Sequence, residues 1–403
     1  MYSMEEIMII LRNARLLPAL TEGFEGNFAD IILEDGIIQE IKDTKTAKIT
    51  SGANVIDLTG KTLLPGLIEA HLHLDLCGMN VYEENVQQES YRVMRALRLA
   101  QDNLKMGYTT VRDLGDRNNL VIGIARAVKD GLIMGPDILA SGQILSPTEA
   151  GNDYFEGMYA EADCPDAYTR AVRRQYQLGA DWIKIMGTGA VMNPGGEPGK
   201  PIIYEKELCA ACEAASYAGL PVAVHCHGTE GIKMCIRCGV RTVEHSTLMD
   251  EECIRMYKAS DQSFPIPTMS PMVAFTEHPE GKPIHYVEKG RQSAAKLIEG
   301  LRACREAGIK MGWGSDAGVY ENSHGNGLYE FRARVERVGF TPLECLLQAT
   351  KNNAEILGIS DTVGTIACGK KANLVAFDGN PDENIEVLSQ VSLVLKAGVV
   401  VNV

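Results

Sequence analysis

One arrangement recurs along the middle of the chain and limits what it can fold into: a helical stretch closes on a glycine, and a short apolar run follows within a few residues. The joints are Gly107 before Thr109-Thr110-Val111-Arg112-Asp113, Gly135 before Asp137-Ile138-Leu139-Ala140, and Gly179 before Asp181-Trp182-Ile183-Lys184-Ile185-Met186. They continue with Gly219 before Pro221-Val222-Ala223-Val224-His225, Gly239 before Val240-Arg241-Thr242-Val243-Glu244-His245, and Gly308 before Ile309-Lys310-Met311-Gly312-Trp313. Glycine just past a helix end takes the left-handed cap conformation without steric penalty, and strands alternating with helices imply crossover units and a parallel sheet. Leu67-Ile68-Glu69-Ala70 at the front and Phe264-Pro265-Ile266-Pro267-Thr268 before the last unit bring the candidate strands to eight, the number that closes a (β/α)8 barrel. The expected fold class is α/β, with a (β/α)8 TIM barrel over residues 63–361. Its seventh strand is interrupted by prolines, and a doubly wound open sheet is the alternative.

The two ends read differently. Ile7 to Leu11, Ala29 to Leu33, Gly36 to Ile41 and Asn54 to Leu58 are short alternating runs between turn signals, and so are Leu374 to Phe377 and Val391 to Val403. Ala397-Gly398 divides the last run where a hairpin could turn. Residues 1–62 and 362–403 are therefore expected to form one small β-sandwich domain.

Charge and cysteine content exclude several partners. Acidic residues exceed basic ones by 53 − 39 = 14, which disfavours contact with the phosphates of nucleic acid or with an anionic membrane surface. No apolar run approaches the roughly 18 residues of a membrane span, and the acidic start lacks the basic flank and apolar core of a secretion signal. A cytoplasmic enzyme is expected. The 11 cysteines read as reduced thiols. Cys209 with Cys212 and Cys235 with Cys238 form two C-x-x-C pairs, but each lies in a helical pattern where cysteine packs as a small hydrophobe.

The chain has only eight histidines, yet five stand at the ends of predicted strands: His71, His73, His225, His227 and His245. His71 lies five residues after Gly66, Lys184 five after Gly179, and His225 and His245 six after their glycines. Parallel strands rise about 3.3 Å per residue, so equal counts set these side chains at nearly equal height on the carboxyl rim, where barrel active sites are built. Asp316, eight residues after Gly308, is carried over the same rim. Residues two apart on a strand share a face, so His71 and His73 can both point inward. Imidazole and carboxylate together suit a divalent metal that activates water.

The same residues carry a resemblance. Pro65-Gly66-Leu67-Ile68-Glu69-Ala70-His71-Leu72-His73 resembles the first-strand signature of the amidohydrolase superfamily. Trp182 to Met186, Ala223-Val224-His225-Cys226-His227-Gly228, Val243-Glu244-His245 and Gly314-Ser315-Asp316-Ala317-Gly318 are similar to its later signatures in the same order. Ala349 to Ala354 and Gly364 to Leu374 resemble the return from barrel to β domain. Within the superfamily the likeness is to the imidazolonepropionase-like branch, which includes metal-dependent dipeptidases acting on Xaa-Pro or Xaa-Arg and N-acyl amino acid hydrolases.

That resemblance implies two divalent metal ions, zinc in kind, with His71, His73 and Asp316 on the first and His225 and His245 on the second. Lys184 would carry a carbamate bridging both. It implies hydrolysis of a C–N bond in a dipeptide or N-acyl amino acid by a metal-bridging hydroxide, with Asp316 moving the proton to the departing amine. His227 would contact substrate or water, and Tyr204, twenty-one residues ahead of His225, would donate to a substrate carboxylate or carbonyl. The loop Ser146 to Asp153 lacks the Gly-Gly-His-Gly-like element of the peptidases, leaving Asn152 or Asp153 to supply its contact, and His324 is expected to line the pocket. The alternative chemistry is a mononuclear deaminase or cyclic-amide hydrolase, with Glu230 as acid and His227 replacing His225 as ligand. A homo-oligomer acting on a small-molecule substrate is the expected assembly.

Overall fold

The computed structural model describes residues 8–44, 54–191, 199–277, 280, 284–320, 322–325 and 327–402. The opening residues read above for a targeting signal lie outside that set. The chain divides into two compact units, one from Met1–Ile68, Gln101–Thr110 and Phe340–Val403, the other from Glu69–Ala100 and Val111–Gly339.

In the first unit the two ends of the chain build one sheet of eight strands. β1 (Ile9–Arg15), β2 (Phe28–Glu34), β3 (Ile37–Asp43), β4 (Asn54–Asp57) and β5 (Lys61–Pro65) join three late strands numbered at the end of the chain order below. The turn from Glu34 to Ile37 is Asp35-Gly36, both at positive φ (50° and 76°), the conformation that a two-residue hairpin turn demands. Ala397-Gly398 also has two positive φ values, 48° and 75°, and turns the hairpin placed there from sequence. Alternating residues such as Leu11, Ile31, Leu63 and Ala376 face one aliphatic core and are fully buried. All eight strands belong to one hydrogen-bonded sheet, and the expected sandwich is not resolved as separate sheets among the described residues.

In the second unit the glycine-joint segments form parallel ladders. β6 (Leu67–Leu72), whose first residues belong to the first unit, pairs in a three-stranded sheet with β7 (Tyr108–Asp113) and β8 (Asp137–Ala140). β9 (Ile144–Ser146), β10 (Tyr159–Glu161), β11 (Ile183–Met186), β12 (Val222–Cys226), β13 (Thr242–His245) and β14 (Phe264–Ile266) form a six-stranded sheet in the order β10-β9-β11-β12-β13-β14, every pair parallel. The remaining strands are β15 (Leu374–Asp378), β16 (Val391–Lys396) and β17 (Val399–Val401), in the terminal sheet.

The expected eight-stranded cylinder is not completed as one ladder. Gly142, at φ +67°, turns the chain between β8 and β9. The eighth predicted strand is an irregular segment that bonds to both neighbours: Gly312 N–H donates to Pro265 O (3.1 Å), Ala70 N–H to Trp313 O (3.3 Å) and Asp316 N–H to His71 O (2.7 Å). Gly314 allows that approach, because a Cβ there would lie 2.7 Å from His71 Cβ. The seventh strand forms despite its prolines: Pro265 lacks an N–H, yet its carbonyl still accepts from Gly312.

The helices follow their local signals. Pro165–Leu178 opens on proline and closes on Gly179 at φ +93°, and Asp250 caps Glu251–Ala259 by accepting from Cys253 N–H. The reduced-thiol expectation fails at one place. Cys209, in the helix Glu205–Tyr217, is bonded to Cys238, which caps the helix Thr229–Arg237. One cysteine of each pair faces the neighbouring helix, while Cys212 and Cys235 pack into the apolar core. Among the described residues, no helix is long and apolar enough to cross a membrane.

Candidate metal centre

The carboxyl ends of the parallel strands bring together the residues that the sequence holds far apart. His71 lies in β6 and His73 just past its end, Lys184 lies in β11, His225 in β12, His245 ends β13, and Asp316 follows the irregular eighth segment. All line one cavity. Asp316 Oδ1 is 3.4 Å from His71 Nε2 and 3.5 Å from His73 Nε2. Two trios have ligand atoms within 4.8 Å of one another: His71, His245 and Asp316, and His225, His227 and His245. His227 and His245 stack with ring centroids 4.8 Å apart.

Behind the cavity each imidazole is held by one nitrogen. His71 Nδ1–H donates to Glu244 Oε2 (2.8 Å), His73 Nδ1–H to Gly115 O (2.8 Å), and His225 bonds the backbone of Gly189. His227 Nδ1 pairs with Thr247 Oγ1 and His245 Nδ1 with Thr268 Oγ1, both at 2.7 Å. The second nitrogen is thereby left for a ligand, the usual arrangement behind metal-bound histidine. His225 Nε2 is buried without a hydrogen-bond partner among the described residues.

The charges behind this wall are themselves paired. Arg112 Nη2–H donates to Glu244 Oε1 (3.0 Å), its Nε–H donates to Ala70 O (2.6 Å), and its guanidinium stacks 4.3 Å from the Trp182 ring. Burial pushes Glu244 up, but Arg112 and the bond from His71 outweigh it and hold the carboxyl at about 2. Glu69, pushed up to about 8 by burial, accepts from His71 N–H (2.9 Å) and from Ser315 N–H and Oγ–H (3.1 and 2.6 Å), so it ties the strand carrying His71 to the irregular segment before Asp316.

Burial favours neutral imidazole throughout the second trio: His227 is lowered to about 4, and His225 and His245 fall well below the ordinary range. His71 falls to about 4 by burial and the charge of Lys184. Burial also lowers Lys184, to about 8, against the pull of Glu244 and Asp316. Asp316 is lowered, because His71 and His73 outweigh its burial. His73 departs from this: burial lowers it, but its bond to Asp316 and the charges of Asp316 and Asp113 outweigh burial and raise it. Neutral imidazole with an ionised carboxylate, the state that metal binding requires, is thus favoured at the other four rings.

His245 and Asp316 carry a further mark, since both occupy the left-handed region, at φ 68° and 58°. A side chain rarely adopts it without surrounding support, and such residues cluster at functional sites. Asn322 supplies that support for Asp316, its Nδ2 donating to Ser315 O and Asp316 O at 2.7 and 2.9 Å.

Three expected substrate contacts are placed elsewhere. Tyr204 immediately precedes the helix Glu205–Tyr217, its N–H bonded to the Glu207 carboxylate, with its side chain 70% exposed. Asn152 is buried in its own loop, donating to Pro147 O and Glu161 Oε1. His324 bonds the carbonyls of His73 and Leu76 (3.1 and 3.0 Å), bracing the segment after β6. None of the three lines the cavity. Glu230, the acid of the deaminase alternative, has a side chain 71% exposed and paired with Lys233, also away from the cavity. The residues that sequence reading passed over are Glu69, Arg112, Glu244, Thr247, Thr268 and Asn322. For Glu69, Arg112 and Glu244 the available signal was a lone charge inside an apolar strand run.

The model of the amidohydrolase family matches residues 62–401. The chain belongs to that family. It is 29% identical over 357 residues to ochratoxinase of Aspergillus niger, covering 81% of this chain and 72% of that protein. Imidazolonepropionase of Nocardia farcinica is 24% identical over 389 residues, covering 90% and 88%. Among solved structures, a Xaa-Pro dipeptidase with methionine bound in its active site superposes with a TM-score of 0.90 at 30% identity, covering 98% of this chain and 99% of that one. Amidohydrolases are hydrolases, and the His-rich cluster of this chain could hold metal at the strand ends.

Proposed function

We propose that this amidohydrolase cleaves the amide bond of a dipeptide or N-acyl amino acid at a pair of divalent cations, zinc in kind. The observation that carries the reading is the convergence on one cavity of five buried imidazoles, a buried lysine and an ionised aspartate. The donor set fits such ions: His225 Nε2 is a buried atom awaiting a partner, and the other four rings have one nitrogen tied back. His71, His73 and Asp316 would hold one cation and His225 and His245 the other. Lys184 would bridge them once its neutral amine takes up carbon dioxide, forming a carbamate and releasing a proton. The pair would supply acidified water and polarise the scissile carbonyl.

The chain's own residues then move the protons. Asp316, ionised at neutral pH, accepts the proton of the attacking water and returns it to the departing nitrogen, which leaves as an amine. Glu244 fixes the His71 ring and Glu69 fixes the backbone of both His71 and Ser315. His227 stands beside His225 and His245 where it can meet the substrate. The similarity to a Xaa-Pro dipeptidase holding methionine and to an ochratoxinase supports an amide substrate with an amino acid moiety.

Metal analysis with a substrate panel tests the reading. About two equivalents per chain are expected, with free amine released from dipeptides or N-acyl amino acids. Lys184→Ala should lose activity by at least about a thousandfold together with one equivalent of metal, the scale of removing an essential group. One equivalent in the unaltered chain, with turnover of a cyclic amide only, would overturn the binuclear peptide-type assignment in favour of the cyclic-amide alternative.

A further inference from the structure

The cavity has a second wall, opposite in character to the imidazoles. Leu76, Ile144, Phe155, Met158 and Met186 line it and pack as one apolar cluster, each at most 4% exposed. Tyr159 completes the wall with its ring edge-on to Phe155, centroids 6.2 Å apart. Burial alone pushes its hydroxyl up, with no hydrogen bond offsetting it. Apart from Lys184 and Asp316, no Lys, Arg, Asp or Glu is among the described residues lining the cavity.

The wall is braced from behind. Asn85 Nδ2–H donates to Tyr154 O (3.0 Å), Gln143 Nε2–H to Gly157 O (2.9 Å), and Asn152 Nδ2–H to Glu161 Oε1 (2.8 Å). Asn152 thus holds the loop that carries Phe155 and Met158 in place. A braced apolar surface beside reacting groups selects substrates, because it needs no ordering when they bind.

We propose that this wall is the pocket for a bulky uncharged group, aromatic or branched aliphatic, next to the scissile amide, and that the Tyr159 hydroxyl is its polar anchor. The substrate class is then an N-acyl amino acid or dipeptide with an apolar group at that position, an assignment that rests on the amide-hydrolase reading above. One methylene in such a pocket changes selectivity about 10- to 200-fold, and a charged side chain would be stripped of water with no counter-charge on this wall. Two methionines let the surface adapt to several apolar shapes.

The test is a series of matched dipeptides and N-acyl amino acids, differing at one position at a time, with the metal-loaded enzyme. For one position, kcat/KM for Phe, Leu or Met should exceed that for Asp, Glu or Lys by at least about 100-fold. Phe155→Ala should compress the ratio between bulky and small substrates at least about tenfold, and Tyr159→Phe, a substitution of the same shape, should raise KM several-fold with kcat retained. Equal turnover of charged and apolar members, or a Phe155→Ala variant that scales all members alike, would overturn the pocket, and an unchanged KM for Tyr159→Phe would overturn the anchor. If no amide is cleaved, the function proposed above falls; calorimetric binding of the same compounds then decides the pocket alone, an apolar preference upholding it and equal affinities overturning it.

Discussion

Two networks of buried charge lie in the same unit, and they differ in where their hydrogen bonds end. In the first, Glu330 Oε2 accepts from Met269 N–H, Ser270 N–H and Ser270 Oγ–H at 2.7–2.8 Å, and its Oε1 accepts from Arg334 Nε–H at 2.7 Å. Arg334 then donates to Gly312 O and Pro267 O at 2.9 and 2.6 Å. These bonds return to backbone and tie the loop after β14 to the irregular eighth segment. In the second, Arg112 and Thr242 feed Glu244, Glu244 receives His71, and the series ends at His71 Nε2, which faces Asp316 Oδ1 at 3.4 Å in the cavity. His225 Nε2, on the same cavity, is buried without a hydrogen-bond partner among the described residues. An unsatisfied buried polar atom costs about 1–3 kcal/mol. Complete burial of charge is common to both networks, so it does not mark function. What separates them is that the second network ends on the cavity and the first does not.

Removing one partner from each network separates the two. Glu330→Ala leaves the Arg334 charge fully buried and strips two backbone N–H groups of their acceptor, so the loss of stability should be about 3–5 kcal/mol. Urea unfolding measures it, and a loss below about 1 kcal/mol would show that water satisfies the site and that the network is not closed. Metal affinity of the folded fraction should stay unchanged.

Glu244→Gln should do the reverse in emphasis. The side chain keeps its shape but no longer presents a full negative charge to His71 and Arg112, and loss of such a partner typically weakens metal binding 10- to 100-fold. A competition titration with a coloured chelator reads this directly. If the variant binds metal like the unaltered protein while Glu330→Ala does not, the roles of the two networks have been exchanged.

The same contrast explains what could be read from the sequence. β11, β12 and β13 fall where glycine-joint spacing put them, because a left-handed cap and a following apolar run are local signals. Counts of five and six residues from those glycines also placed Lys184, His225 and His245 near one height, since parallel strands share one rise per residue. Closure of the sheets was not legible: it turns on Gly142 and on the glycine-rich approach of residues 312–316 to β6, which are tertiary matters. Tyr204, Asn152 and His324 were placed by family analogy on loops, and loop direction is set by contacts such as Asn152 with Glu161 that no spacing encodes. The Cys209–Cys238 bond escaped for the same reason, as it depends on which faces two helices turn to each other.

A third ion cluster, at the surface, supplies the smallest effect and the control for the other two. Asp250 caps the helix Glu251–Ala259 by accepting from Cys253 N–H (2.8 Å), and pairs with Lys233 (2.9 Å), which also meets Glu230 and Glu252. Desolvation pushes Asp250 up, but the Cys253 N–H and Lys233 outweigh it and hold the carboxyl at about 2. Asp250→Ala should cost about 1 kcal/mol, the ordinary worth of a cap, and Asp250→Asn less, because the amide oxygen keeps the cap and loses only an exposed ion pair. The sign with pH follows from the lowered value: the ionised carboxylate stabilises the fold above its unfolded pKa near about 4, and that contribution fades as pH falls from there towards about 2. Urea midpoints of the Ala variant and the unaltered chain should therefore differ at pH 5–7 and converge below about 4, with 1 M salt removing part of the difference for Asn and little of the cap component for Ala. An Asn variant as unstable as Ala would mean that the ion pair, not the cap, holds this helix end, and that exposed charge here behaves like the closed buried network rather than as its weak counterpart.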